Sequence, residues 1–332
     1  MEKNLSGMID SMEGQGILVI GDMVADIYLD GRISRISREA PVLVLEQAGE
    51  KIVAGGAANV VNNVATLGGK AFAVGIVGMD HSAAGLKEIL EGNGADTSGI
   101  FRVEGRPTIS KTRIIAGGRA TVSQQIVRID HESKEPISPN DEKKLLEYIE
   151  KILPRIRGIV MSDYGAGTVT ERIQARLIAY SRAHGVPSIV DSRYAIRRFK
   201  GVGYVKQNDA ELAAAMEREL RTEEDLRAAG MELLRELDAE GILVTRGEKG
   251  MTLFERNGAI HDIPVSDRSE VFDVSGAGDT CVSAVILALA AGAEPALAAE
   301  LSNFASGIAV RKLGTATVSS EELRKAVQGV EK

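Results

Sequence analysis

Four short apolar runs, each halted by a polar residue, constrain the architecture of this chain more than any other feature. They are Ile17-Leu18-Val19-Ile20 before Gly21-Asp22, Ile159-Val160-Met161 before Ser162-Asp163, Ile189-Val190 before Asp191, and Ile242-Leu243-Val244 before Thr245. Runs this short and apolar on both faces read as strands buried in a parallel sheet. Helical patterns cover 141–152, 170–184, 209–218 and 222–240. Alternating strand and helix predicts a doubly wound α/β fold, in which ligands gather beyond the carboxyl ends of the strands. The polar residues ending these runs are therefore expected at a site mouth; simple strand capping is the alternative for part of them.

Segments 28–46 and 101–130 break the rhythm. Alternation such as Val42-Leu43-Val44-Leu45 and Thr112-Arg113-Ile114-Ile115 predicts short strands there. The two segments carry Arg32, Arg35, Arg38, Arg106, Lys111, Arg113, Arg119 and Arg128. A small inserted sheet is expected to act as a lid over the main one. The alternative is an edge sheet guarded by its charges. With no repeat and no linker, residues 1–332 read as one domain carrying that lid.

The 40 basic residues against 47 acidic ones give a net charge of −7, so the chain lacks the bulk field that draws nucleic acid. A lone cysteine, Cys281, cannot form an internal disulfide. The first 16 residues hold no apolar signal region, and the longest apolar stretch, 282–293, falls short of the roughly 20 residues that span a bilayer. A cytoplasmic protein without nucleic-acid or membrane partners is expected. The histidines show no metal-like pairing.

The sharpest local signal is Asp273-Val274-Ser275-Gly276-Ala277-Gly278-Asp279-Thr280, after the strand-like Glu270-Val271-Phe272 and before a helical run at 281–291. Strand, glycine-rich turn and helix start make an anion-binding layout, because free amides at a helix N-terminus carry about half a positive charge. Asp279, in the first turn, is expected to stay ionised and to take a proton from a sugar hydroxyl. Base and anion cradle within one turn suit phosphoryl transfer. The alternative is an ordinary turn with an acidic cap. The P-loop pattern is absent, and Cys281 stands where the dinucleotide fingerprint needs its third glycine.

Three further elements add to this turn. Asn208-Asp209-Ala210-Glu211 opens a helix, as a capping box or as an outer shell for Mg²⁺. Thr245-Arg246-Gly247-Glu248-Lys249-Gly250 reads as a hairpin turn. Gly55-Gly56-Ala57-Ala58-Asn59 opens another helix, with an amide suited to hydroxyl groups.

The order of these motifs resembles the ribokinase/PfkB carbohydrate kinase family, over about residues 17–323. Within it, Ser34-Arg35-Ile36-Ser37-Arg38-Glu39-Ala40-Pro41-Val42, Lys111-Thr112-Arg113, Ile126-Val127-Arg128-Ile129-Asp130, Ser162-Asp163-Tyr164 and Lys312-Leu313-Gly314-Thr315 are similar to the kinases that phosphorylate O1 of heptose 7-phosphate, in their standalone form.

The resemblance implies a Rossmann-like sheet with a β lid, dependence on ATP and Mg²⁺, and a homodimer clasped through the lids. It implies that Asp279 is the base and that the amides of Gly276, Ala277 and Gly278 stabilise the transferred phosphoryl group. Asn208 and Glu211 would organise Mg²⁺ and phosphates, the glutamate through water. Thr245, Gly247 and Gly250 would line the nucleotide, with Asn303 near the adenine. Asp26, Gly55, Gly56 and Asn59 would hold sugar hydroxyls. Asp273 and Ser275, with Gly314, match where relatives hold a monovalent cation such as K⁺. Lys111, Arg113, Arg128 and Arg193, with Arg35 and Arg38, are the candidates for an acceptor phosphate.

There are departures on the acceptor side. Ala166 stands where the heptose kinases carry lysine, Asp191-Ser192-Arg193 replaces Asp-Pro-Lys, and Lys206-Gln207-Asn208 replaces Thr-Pro-Asn. A kinase for another acceptor (2-keto-3-deoxygluconate, a fructose phosphate or a nucleoside) is the second reading. A silent sugar or nucleotide sensor is the third.

Overall fold

The computed structural model describes residues 5–117, 123–266 and 271–329. The strands are β1 (Gly16–Gly21), β2 (Met23–Ile36), β3 (Leu43–Gly56), β4 (Lys70–Val77), β5 (Asp96–Arg102), β6 (Ile109–Gly117), β7 (Gln124–His131), β8 (Gly158–Asp163), β9 (Ser188–Ser192), β10 (Tyr204–Asn208), β11 (Gly241–Thr245), β12 (Met251–Glu255) and β13 (Ile260–Ile263). The helices are α1 (Leu5–Met12), α2 (Ala57–Thr66), α3 (His81–Gly92), α4 (Pro139–Ile152), α5 (Glu171–His184), α6 (Asp209–Ala215), α7 (Glu223–Leu237), α8 (Ala277–Ala290), α9 (Pro295–Ala309) and α10 (Ser320–Gln328).

The larger sheet runs β13-β12-β11-β10-β9-β8-β1-β4-β5. Its members from β11 to β5 in that order are parallel, and only β12 and β13 run against their neighbours. The continuous apolar run of β1 follows from burial on both faces. Ile17 and Val19 enter a core with α1, α2, α8 and α9, while Leu18 and Ile20 enter another with α4, α5 and α7. The smaller sheet runs β3-β2-β6-β7, with antiparallel β2–β3 and β6–β7 pairs around a parallel β2–β6 pair.

One residue, Asp22, separates β1 from β2, and β3 returns directly into α2. The small sheet therefore rises from the carboxyl end of the large one. Asp22 is fully buried and accepts N–H bonds from Tyr164 (2.9 Å), Ala166 (3.0 Å) and Thr168 (3.2 Å), which knots the loop after β8 to the root of the small sheet.

Several elements differ from the sequence reading. Helix α8 begins at Ala277, four residues ahead of the helical run at 281–291, and keeps Asp279 in its first turn as expected. Val271 and Phe272 form no strand; they are exposed, and the Phe272 amide donates to the Val310 carbonyl. Glu270 and Arg119 lie outside the described residues. Strand β5 belongs to the large sheet, so the second inserted segment is β6 and β7 alone, and β2 and β3 are longer than 28–46. Helix α1, in the stretch read as polar, buries Leu5, Ile9 and Met12. The turn at 245–250 does join two antiparallel strands.

Candidate active site

Helix α8 starts on Gly276, whose φ of 79° is a left-handed conformation that glycine alone adopts freely. A side chain there would also strike the Asn59 amide, 2.7 Å from where its Cβ would lie. Gly276 and Gly278 have N–H groups without a protein acceptor among the described residues, whereas the Ala277 amide donates to the Val274 carbonyl at 3.3 Å. The Ala277 amide thus shapes the turn. The N–H groups left free at the described turn are those of its two glycines.

Asp279 sits one turn in and is only 5% exposed. Asn59 Nδ2 donates to its Oδ2 at 2.8 Å, and the Tyr164 hydroxyl donates to its Oδ1 at 3.2 Å. Burial pushes its pKa up to about 7, helped by the nearby Asp191 charge and opposed by the Asn59 and Tyr164 hydrogen bonds and by Lys206. The expectation of a carboxylate ionised throughout the neutral range is thereby corrected. Loss of water outweighs the helix N-terminus, and the group changes charge near neutrality.

A cleft of about 840 Å³ opens on the other side of the α8 start. Asn208, Thr245, Gly247, Gly250, Gly278 and Asn303 line it, so the expected nucleotide residues come together. Val265, Val274 and Val310 give it apolar walls. The Asn303 amide donates to the Pro264 carbonyl at 2.6 Å, which fixes its orientation. Asn208 and Glu211 form the capping box: Glu211 N–H to Asn208 Oδ1 at 2.7 Å, and Asn208 N–H to Glu211 Oε2 at 2.8 Å. The Asn208 amino group and the Glu211 Oε1 are not used by that box; the first can donate to a phosphate, and the second can accept from water bound to Mg²⁺.

Lys206 is one of the departures grouped above on the acceptor side. It instead lines this cleft, buried against Gly278, with Nζ 3.0 Å from Asp191 Oδ2 and 3.9 Å from Glu211 Oε2. The acceptor side lies toward the small sheet. Asp26 is 4% exposed beside Gly55 and Gly56 and pairs with Arg113 at 2.5 Å. The Tyr164 ring carries Lys111 and Arg193, their cationic groups 5.5 Å and 5.0 Å from its centroid. Neither cation has an ion pair among the described residues. Arg128 faces Arg113 across the β6–β7 ladder, but Asp130 takes its guanidinium in a fork at 2.8 and 2.9 Å. Arg35 and Arg38 lie exposed at the far end of the small sheet. The Ala166 side chain is buried against Val24 and Ile109, so the loss of a lysine there leaves no gap.

Asp273 accepts from the Ser275 amide (2.9 Å) and the Gly314 amide (3.0 Å). Burial alone would raise its pKa, but these bonds hold it below the usual carboxylate value. Oδ1 thus closes the turn on itself, and Oδ2 joins it to the 311–315 loop. Neither Tyr164 nor Lys206 is a candidate from the sequence pattern, and Asp191 is one only as a strand-end residue at the site mouth. Each lies at or just beyond the carboxyl half of a parallel strand, the one signal that could have found them.

The doubly wound sheet, its strand ends meeting a glycine-capped helix that bears a buried carboxylate, has the ribokinase-like fold. Comparison with known proteins agrees: the pfkB family carbohydrate kinase model matches residues 15–323, and the chain belongs to that family. It is 40% identical over 324 residues to the bifunctional protein HldE of Geobacter sulfurreducens, covering 97% of this chain and 64% of that protein. It is 41% identical over 322 residues to HldE of Geobacter metallireducens, with the same coverage. The chain thus spans somewhat under two thirds of these relatives. Among solved structures, Arabidopsis thaliana ribokinase complexed with ribose and ATP superposes with a TM-score of 0.72 at 17% identity, covering 95% of this chain and 99% of that one. Escherichia coli phosphofructokinase-2 in complex with potassium gives 0.73 at 21%, covering 96% and 100%. These likenesses establish the fold. The protein is an ATP-dependent carbohydrate kinase. Among the described residues no helix is long and apolar enough to cross a membrane.

Proposed function

We propose that this chain transfers the γ-phosphoryl group of ATP to O1 of a heptose 7-phosphate. The carrying observation is the buried Asp279 carboxylate in the first turn of α8, between the cleft and the small sheet. In this reading the sugar hydroxyl approaches Asp279 and gives it a proton. The hydroxyl oxygen attacks the γ-phosphorus in line, and the bond to the β–γ bridging oxygen breaks to release ADP. The glycine amides at 276 and 278 stabilise charge on the moving group. Mg²⁺, when bound, neutralises phosphate charge, and Asn208 and Glu211 are the residues that would hold it through water. An assay in K⁺ against tetramethylammonium tests the monovalent-cation position at Asp273 and Ser275.

Two features support a phosphorylated acceptor: kinship to HldE proteins across the chain, and Lys111 and Arg193 on the Tyr164 ring without an ion pair among the described residues. One favours a different sugar: Arg113 is already neutralised by Asp26. A panel of heptose 7-phosphate, fructose 6-phosphate, 2-keto-3-deoxygluconate and a nucleoside, with ADP release as readout, decides. No turnover with heptose 7-phosphate beside turnover with another member removes the narrow assignment.

The small sheet serves as the lid of one domain in this reading, and as the dimer contact. Exposed Ile36, Val42, Leu43, Val127 and Ile129 support that contact. Light scattering of the native chain and of Val127→Glu should give a dimer and a monomer respectively. Expected in the cytoplasm, the enzyme would act on a precursor of lipopolysaccharide.

A further inference from the structure

Asp279 has two hydrogen-bond donors at its carboxylate: Asn59, from the glycine-rich helix start, and Tyr164, from the Ser162-Asp163-Tyr164 run. Asn59 binds Oδ2 and is itself fixed: Asn63 Nδ2 donates to its Oδ1 at 3.1 Å, which leaves the Asn59 amino group facing Asp279. Tyr164 binds Oδ1. Its phenol is held on every side. Asp22 grips the loop through the Tyr164 N–H, and Lys111 and Arg193 lie on the ring.

We propose that Tyr164 is a positioning residue for Asp279, its hydroxyl aiming Oδ1 and keeping the carboxylate free to accept a proton in the neutral range. This rests on the reading of Asp279 as the base. The physical argument is short. A carboxylate stripped of water is costly to ionise unless donors reach it. Here each oxygen has one: a neutral amide on Oδ2 and a neutral phenol on Oδ1. Burial and the Asp279 and Asp191 charges push the phenol's own pKa well up, so it stays protonated and remains a donor. The other charged groups facing Asp279 are Asp191 from β9 and Lys206 from β10. These two pair with each other at 3.0 Å and act on Asp279 in opposite senses. The hydroxyl of Tyr164 is then the donor whose removal shifts the balance without disturbing the nucleotide cleft, whose lining it does not join.

The test is a carboxyl titration by NMR on protein labelled with [4-¹³C]aspartate, the Asp279 resonance being the one missing from Asp279→Asn. Tyr164→Phe keeps the ring and both cation contacts. It should move the Asp279 titration upward by about one pH unit, roughly the tenfold that a charge-assisted hydrogen bond of modest length commands. With heptose 7-phosphate and ATP·Mg as probe substrates, the acid limb of kcat/KM should move by the same amount, with recovery at high pH and an unchanged KM for ATP. Tyr164→Leu also removes the shelf under Lys111 and Arg193. It should show the same titration shift and, in addition, a raised acceptor KM. An Asp279 that titrates alike in native and Tyr164→Phe protein overturns the proposal. So does a Phe variant that changes acceptor KM alone, since Tyr164 would then be only a substrate contact. The base reading fails separately, if Asp279→Asn turns over at the native rate.

Discussion

The two sides of the α8 start are built by different means. The cleft side is framed by strand ends of the large sheet and walled by glycines, short polar side chains and valines. Its one buried cation, Lys206, is matched by Asp191. The acceptor side rests on the small sheet and the loop after β8, and its charges are distributed unevenly. Arg113 and Arg128 are paired off, while Lys111 and Arg193 stack on one tyrosine ring. The chemistry common to the family thus sits on rigid, deeply buried elements. In the proposed reading, selection of the acceptor falls to the small sheet, whose roots are buried and whose outer half is exposed.

Asp279 joins the two sides, and its removal is the largest break available. Asp279→Asn should lower kcat by about 10²–10⁴, the ordinary scale for a general base, with little change in KM for ATP. Equal loss in both parameters would mean that the residue builds the nucleotide side as well. The same variant has a stability signature. The folded pKa of about 7 lies above the ordinary carboxylate value of 3.8, so between these values the folded state holds a proton that the unfolded chain has released. Stability from this group is therefore full below pH 4 and is lost as the pH climbs through 7. Asparagine has no such dependence. The melting temperature of Asp279→Asn relative to native protein should be most favourable at pH 8 and least favourable near pH 4.

Next in size is Lys206→Met. It strands the Asp191 carboxylate in a buried site, a change that costs about 3–5 kcal/mol when one partner of such a pair is removed. Chemical denaturation should show that loss, and KM for ATP should rise because the cleft loses its lysine. A variant as stable as the native protein would mean that Asp191 is reached by water, and the contrast between a sealed cleft side and an open acceptor side would go.

Much of the rigid side was legible in the sequence. The apolar runs of β1, β8, β9 and β11 and the glycine-rich turn announce themselves locally, because burial on both faces and a helix start each leave a mark within ten residues. Strand β4 carries a similar mark in Ala71-Phe72-Ala73-Val74, and α1 is masked by Gly7, Asp10 and two serines among its eight residues. What no local pattern reveals is which side chains meet. Asn59 reaches Asp279 across 220 residues, and Tyr164 does so across 115. The expectation that Arg113 and Arg128 face an acceptor failed to foresee Asp26 and Asp130 for a similar reason. A strand's period places a residue on a face but does not say whether its charge is already answered there. The pKa of Asp279 was misjudged because helix position is visible in sequence and depth is not.

The smallest effects sharpen the acceptor side most. Arg193→Gln and Lys111→Gln should each raise acceptor KM about tenfold for a phosphorylated sugar, the worth of one charge-assisted contact, and leave KM for ATP alone. Both should be indifferent to an unphosphorylated sugar. Arg128→Gln should change acceptor KM by less than about twofold, since its guanidinium is half exposed and already satisfied by Asp130, and such surface pairs contribute little. The ordering is the informative result. Arg128 lies opposite Arg113 on the same face, so if only proximity to the small sheet mattered, it would rank with the others. A large effect from Arg128→Gln would show that the Asp130 pair opens when the lid closes, and that the acceptor is gripped by cations released on closure instead of by those already free.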